Sequence, residues 1–208
     1  MVTSAFDDFV KEVDAGRIWR VKELSNFRAL TSLHSADTYS DSVSRAAVVI
    51  AYSHWEGFWS DCLSAYITFR TKEGRRPILV NRNFLIGMLG NSFKRLKDRN
   101  FSDEAKMEFV GSVFAGLNGN FAAVGTEEIR PRSNFDFKRL SYCANYLALD
   151  ISPFQKYRNQ IDAEVVGWRH SIAHGDSPTI DMTAVAGHLN LVERLTELIK
   201  DAFLNRAL

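Results

Sequence analysis

Two histidines and an arginine stand close together near the end of a helix that the sequence predicts at about residues 154–174. They are Arg169, His170 and His174, in the string RHSIAHG. A histidine exchanges protons near neutral pH, and an arginine neutralises charge on phosphate oxygens. Phosphodiester cleavage requires a base, an acid and a cation at the phosphate. The residue types and their spacing therefore make these three the catalytic candidates for that reaction.

The position of His174 at a helix end supports this interpretation. Gly175 follows it and is a natural helix stop, so His174 lies in the last turn, where the helix dipole favours a protonated imidazole. The same dipole repels phosphate, so a bound phosphate needs the cationic Arg169. A plain helix end with a capping histidine also fits the pattern, and Arg28 and His34 nearly repeat the spacing. The pattern alone leaves both interpretations open.

The helix that carries these residues is expected to be covered on two sides. On an α-helical wheel, one apolar face points to the core and consists of Tyr157, Ile161, Val165, Trp168 and Ile172. The opposite face carries Ala163, Val166 and Ala173 beside the histidines, and it is too apolar to face water. Small residues and histidines suit a close two-fold contact between helices. We therefore expect a homodimer formed through this helix.

Composition and periodicity predict an all-α protein with a single domain. The chain has 208 residues, 46% of them hydrophobic, with only 12 glycines and 4 prolines, and this length suffices for a buried core. Apolar residues at i, i+3 and i+4 spacing predict a long helix over residues 40–69 and a last helix over about 182–205. We expect a bundle of five to seven helices across residues 1–208, with about residues 1–35 packed on it as a helical extension.

The only strong charge asymmetry lies between residues 70 and 99. Nine basic residues occur there with two acidic ones, although the whole chain is nearly balanced, with 26 basic and 25 acidic residues. Neutralisation of phosphates by basic side chains supplies most non-specific affinity for nucleic acids. Arg75, Arg76, Lys94 and Arg95 are therefore candidates for RNA binding. A solvated helix face explains the same charges, so both interpretations stay open.

Other sequence features exclude several classes of protein. Cys62 and Cys143 lie in apolar helical runs and are expected to be reduced core residues. No spacing of His, Cys, Asp and Glu suggests a metal site, and we expect no cofactor. The first residues lack the pattern of a signal peptide, and no apolar run is long enough to span a membrane. A cytoplasmic protein without membrane contact is predicted.

Three strings of the sequence resemble a known superfamily. RHSIAHG is similar to the R-N-x-x-x-H signature of the HEPN superfamily, with His170 in place of the commoner asparagine. AYSHWEGF at residues 51–58 resembles the early long helix of the bacterial MAE-like and RiboL-PSP-like branches, and NFDFK at 134–138 resembles a helix start in those branches. The resemblance covers the chain from about residue 40 to 205.

The resemblance implies an all-α bundle that dimerises, so that two signatures form one metal-independent endoribonuclease site. Arg169 and His174 would be the catalytic pair, with His170 as a third titrating group. RNA supplies its own nucleophile, the 2′-hydroxyl, so cleavage would leave 2′,3′-cyclic phosphate and 5′-hydroxyl ends. Members of this kind act as toxins or in phage defence, which implies an antitoxin or regulatory protein as partner. Some members are inactive, so a non-catalytic module that binds RNA or protein is the alternative.

Two residues of the helix over 40–69 are candidates for supporting roles. Glu56 lies off the apolar stripe of that helix, from where its carboxylate could orient Arg169 or a signature histidine. His54 lies on the stripe, where a hydrogen-bonded core histidine is the alternative to a role in the site. Both are therefore candidates for positioning the catalytic residues.

Overall fold

The computed structural model describes residues 4–35, 38–127, 129–131 and 134–208, and the regular structure in these ranges is entirely helical. This confirms the predicted all-α class. The first six helices are α1 (Ala5–Leu33), α2 (Ser40–Lys72), α3 (Pro77–Val80), α4 (Phe84–Asp98), α5 (Asp103–Asn118) and α6 (Phe137–Leu147). The later segments are α7 (Arg158–Gln160), a π-helix (Ile161–Trp168), α8 (Arg169–Ala173) and α9 (Met182–Ala207), with 3₁₀ turns at Phe121–Ala123 and Ser152–Tyr157.

There are more helical segments than the five to seven predicted. The additional ones are short, such as α3 with 4 residues and α8 with 5, and a single turn leaves no apolar period in a sequence. The long helices agree with the prediction, since α2 and α9 include the predicted ranges. No helix in the described part of the chain has both the length and the apolar character needed to cross a membrane.

Three long helices, α1, α2 and α9, pack against one another and form most of the core. Trp59 and Tyr66 of α2 contact Phe203 of α9, with ring centroids 5.2 and 5.9 Å apart. On the side of α1, Phe9 stacks on Phe69 of α2, with ring centroids 5.3 Å apart. The predicted N-terminal extension, α1, thus contributes residues to the core.

Hydrogen bonds fix the segment that leads into α6. Asp136 accepts a bond from the Arg139 N–H at 2.7 Å and caps the helix. The carbonyl of the preceding Phe135 accepts a bond from Trp55 Nε1 of α2 at 2.9 Å. Phe135 is fully buried. The segment before α6 is therefore held against the part of α2 that carries Trp55.

The helix that carries RHSIAHG is not a regular α-helix, and this corrects one prediction. We call residues 158–173 the motif helix. Its middle, Ile161–Trp168, is a π-helix, in which i→i+5 hydrogen bonds bring residues five apart to one side. Val166 thus lies on the side of Ile161 and is buried in the core of its own chain. The predicted second apolar face was wrong in including Val166, whereas Ala163 and Ala173 are exposed.

Cys62 and Cys143 are fully buried and form no disulfide bond, as predicted for reduced core residues. Burial raises the pKa of the Cys62 thiol, because the apolar surroundings penalise a thiolate. Since the thiolate is the reactive form of cysteine, Cys62 is an inert packing residue of α2.

Candidate active site

The motif helix ends in a turn that holds its last residues in one conformation. Gly175 has a φ of 90°, in the left-handed region that glycine favours. The Asp176 N–H donates to the Ser171 carbonyl at 3.1 Å, and the Gly175 N–H donates to the Ile172 carbonyl at 3.2 Å, which is a Schellman motif. The Ser171 hydroxyl also donates to the Asp176 carboxylate at 2.7 Å. The predicted helix stop is confirmed, and His174 is the C-cap.

His170 and His174 lie side by side on the surface of the motif helix. Their ring centroids are 4.2 Å apart, with an interplanar angle of 51°. Both residues are exposed, so a phosphate group in solution can reach both rings. Two imidazoles this close can act on one phosphodiester, one as base and the other as acid. The structure thus brings together two of the three catalytic candidates.

Arg169, the third candidate, is directed towards the body of the chain. Its guanidinium carbon lies 4.6 Å from the ring centroid of Tyr52 on α2, and the residue is half-buried. Arg169 follows the buried Val166 by three residues, and residues three apart lie near one another on the surface of a helix. Within one chain, the cation therefore contacts α2 while the two imidazoles are exposed to solvent.

Tyr52 links Arg169 to two further groups. It is buried, and its hydroxyl accepts a hydrogen bond from the Phe135 N–H at 3.0 Å. Burial raises the pKa of Tyr52, and a hydrogen bond to the Glu56 carboxylate raises it further, so the hydroxyl stays protonated and donates to Glu56. Glu56 is thus connected to Arg169 through a single side chain. Its predicted role in orienting Arg169 has a physical route and stays a prediction.

His54 lies on a different side of α2 from Tyr52. Its Nε2 is 2.8 Å from a carboxylate oxygen of Glu23 on α1, and its ring meets the Trp19 ring edge-on at 5.2 Å. Burial lowers the pKa of His54 more than the neighbouring Glu23 raises it. The structure therefore places His54 in the contact between α1 and α2, as a core histidine, and not beside the motif helix.

Sequence reasoning misses Tyr52 and His188, which contact the motif helix from α2 and α9. The His188 ring lies 5.3 Å from the Trp168 ring, and burial lowers the pKa of His188 to about 4. The sequence feature that could have identified Tyr52 is its four-residue spacing from Glu56, which places both residues on one side of a helix. No sequence feature identifies His188 as a neighbour of the motif helix, apart from its place near the apolar stripe of the last helix.

The basic residues between 70 and 99 do not form one continuous cationic surface. Arg70 is buried and bonded to the Tyr66 hydroxyl and a carbonyl of α9. Glu108 of α5 pairs with both Arg95 and Arg99, at 2.7 and 2.8 Å. Because Glu108 lies outside the stretch that was counted, the count overstates the charge that these residues present to solvent.

The four predicted RNA-binding residues are nevertheless all exposed: Arg75, Arg76, Lys94 and Arg95. The first pair lies between α2 and α3 and the second pair on α4. Arg76 donates to the Asn118 side chain at 3.4 Å. Exposed cations on neighbouring elements can contact successive phosphates of one strand. Their role in RNA binding stays a prediction.

Comparison with known families places the chain. The family model described as RiboL-PSP-HEPN matches residues 16–205, which is most of the chain. The chain belongs to the RiboL-PSP-HEPN family. The match confirms the resemblance to the HEPN superfamily and begins within α1, so the RiboL-PSP-HEPN unit is longer than the resemblance from about residue 40 indicated. Curated proteins and solved structures yield no significant match.

The groups gathered at the motif of this RiboL-PSP-HEPN domain are two imidazoles, a guanidinium, a phenol and a carboxylate. Such a set can exchange protons and neutralise the charge of a phosphate. In the described ranges, no three His, Cys, Asp or Glu side chains come close enough to hold a metal ion.

Proposed function

We propose that this RiboL-PSP-HEPN protein is an endoribonuclease that cleaves RNA at the end of the motif helix. The observation that carries the proposal is the exposed pair of imidazoles, His170 and His174, with ring centroids 4.2 Å apart and Arg169 on the same short helix. This is the combination of acid, base and cation that phosphodiester cleavage requires.

The reaction uses the 2′-hydroxyl of RNA as the nucleophile. One histidine takes the proton of the 2′-hydroxyl while its oxygen bonds to phosphorus, and the bond from phosphorus to the 5′-oxygen breaks. A second histidine donates a proton to the leaving 5′-oxygen, and Arg169 neutralises the charge on the non-bridging oxygens. The products carry a 2′,3′-cyclic phosphate and a 5′-hydroxyl. One histidine takes up a proton and the other donates one, so the reaction consumes no reactant besides the RNA.

Two copies of the chain are proposed to build one such site. His174 lies at a helix C-terminus, where the dipole disfavours phosphate, and Arg169 contacts α2 of its own chain. A two-fold contact through the motif helices places a second arginine and a second pair of histidines opposite the first. Ala163 and Ala173 are exposed there, and their small side chains allow the helices to approach closely.

Four basic residues away from the motif helix are proposed to hold the RNA. Arg75, Arg76, Lys94 and Arg95 contact phosphates away from the cleaved bond. A ribonuclease that needs no metal and no cofactor suits a toxin or a phage-defence effector in the cytoplasm, where an antitoxin or regulatory protein controls it.

Cleavage of total RNA by the purified protein tests the proposal. Arg169→Ala and His174→Ala are each expected to lower the rate at least about 100-fold, with helical content unchanged by circular dichroism. His34→Ala, which removes a histidine without an assigned role, is the matched control and should cleave like the wild type. Addition of a chelator should leave the rate unchanged.

Two results would contradict the proposed enzymatic activity. Full activity in both Arg169→Ala and His174→Ala would remove the motif from the reaction. A wild-type protein that binds RNA without cutting it would support the alternative, a non-catalytic RNA-binding module of the same family.

A further inference from the structure

Two other parts of the chain converge on Tyr52, a residue of α2 that is only 3% exposed. The guanidinium of Arg169 lies over its ring, 4.6 Å from the centroid. Its hydroxyl accepts a hydrogen bond from the N–H of Phe135, in the segment before α6, at 3.0 Å. The hydroxyl also bonds to the carboxylate of Glu56 on α2. The ring is thus anchored at its oxygen and in contact with a cation at its face.

We propose that Tyr52 is a positioning residue for Arg169, whose guanidinium it holds where the phosphate charge develops. The inference rests on the proposed function, because it concerns the same cation. An arginine side chain has many rotamers, and a transition state gains from a cation that is already in place. An aromatic face attracts a guanidinium without accepting a conventional hydrogen bond from it. The ring of Tyr52 therefore restrains the guanidinium of Arg169 from one face.

The ring and the hydroxyl have different tasks. The ring face contacts Arg169, whereas the hydroxyl fixes the ring through its bonds with Phe135 and Glu56. Loss of the hydroxyl alone leaves the ring packed between α2 and the motif helix. If electron density is withdrawn from the ring face while the ring keeps its shape, the attraction to the cation becomes weaker and the packing of the ring changes little.

Two replacements of Tyr52 separate these tasks. Tyr52→Phe keeps the ring and is expected to retain kcat within about threefold of the wild type. A phenylalanine with a multiply fluorinated ring at position 52 keeps the shape and removes the negative ring face, so kcat should fall about tenfold further with KM within about twofold. Equal cleavage by the two replacements would overturn the proposal. Because neither replacement leaves a cavity, both variants are expected to fold.

The same comparison in an Arg169→Ala background shows whether the ring acts through the arginine. There, fluorination should have no effect on the residual single-turnover rate, since the cation is absent. An equal loss in both backgrounds would show that the ring supports only the fold, which also overturns the proposal. Wild-type activity of both Arg169→Ala and His174→Ala would refute the proposed function itself. Loss of activity in Arg169→Ala, combined with no effect of fluorination at position 52 when Arg169 is present, refutes only the role of Tyr52.

Tyr66 supplies the matched control. It lies further along α2, roughly 20 Å from Tyr52 by helical rise, and its ring contacts the guanidinium of Arg70 at 5.1 Å. The same two replacements at Tyr66 weaken a similar contact in the core, so they should change thermal stability and leave kcat unchanged. A loss of kcat at Tyr66 equal to that at Tyr52 would count against a specific role of Tyr52.

Discussion

His188 lies fully buried on α9 against the Trp168 ring, and its burial makes the stability of the protein depend on pH. Burial lowers the pKa of His188 to about 4, from an ordinary value of 6.5. Above pH 6.5 the residue is neutral in both the folded and the unfolded chain. Below pH 6.5 the unfolded chain binds a proton that the folded chain does not, so the free energy of unfolding falls as the pH falls towards 4.

The full loss of stability from His188 amounts to about 3 kcal/mol, because each pH unit between the two pKa values contributes about 1.4 kcal/mol. About 2 kcal/mol of this loss accumulates between pH 7.5 and pH 5.0. Urea unfolding of the wild type and of His188→Leu at these two pH values measures it. The fall in stability should be smaller by about 2 kcal/mol in His188→Leu, since the variant lacks this titrating group and shares all the others.

Leu189→Ala is the control for this experiment. Leu189 is also fully buried on α9, so the variant is destabilised by a cavity and keeps every titrating group. Its stability should fall between pH 7.5 and pH 5.0 by the same amount as that of the wild type. If His188→Leu also lost as much stability as the wild type, the reasoning from burial would be refuted.

Three further predictions concern the site and its surroundings. Ala173→Glu puts a charge into the proposed contact between motif helices, so sedimentation should show a folded monomer and the RNA assay no cleavage; an active monomer would contradict the two-chain site. Glu108→Gln removes the partner of Arg95 and Arg99, so RNA affinity in a binding titration should rise and depend more steeply on salt; an unchanged salt dependence would mean that these arginines do not contact RNA. His170→Asn should reduce cleavage less than His174→Ala, because asparagine is the commoner residue of the superfamily signature and His174 of the second copy can serve as the second histidine in the two-chain site; a loss as deep as that of His174→Ala would show that nothing replaces His170 in the reaction.

Apolar periodicity predicts the long helices correctly, because each of them buries one continuous stripe. Cys62 and Tyr66 of α2, at helical spacing in the sequence, are both fully buried in the structure. The same reasoning fails for Val166, since it assumes an α-helical wheel where the backbone forms a π-helix. No residue type in that segment marks the wider turns.

The candidate site likewise contains residues that the sequence identifies and contacts that it does not. Arg169, His170 and His174 could be named from the sequence because they are contiguous and chemically distinctive. The contact of Tyr52 with Arg169 could not, because it joins residues far apart in the chain. The pairing of Glu108 with Arg95 and Arg99 could not, because it depends on how α5 packs against α4. A charge count over a window sees the arginines of α4 and does not see the glutamate of α5 that pairs with them.

The π-helix also determines how this chain tolerates changes in its length. Its wide turns contain more residues than α-helical turns of the same rise, so a one-residue deletion at the exposed Ala163 can be absorbed by contraction to an α-helix. A deletion within α2 would instead rotate every later residue of that helix by about 100°. Contraction of the π-helix would leave Arg169 in contact with Tyr52, because the residues that follow the wide turns keep their places. Relatives that lack one residue here are therefore expected to keep both the fold and the position of the arginine.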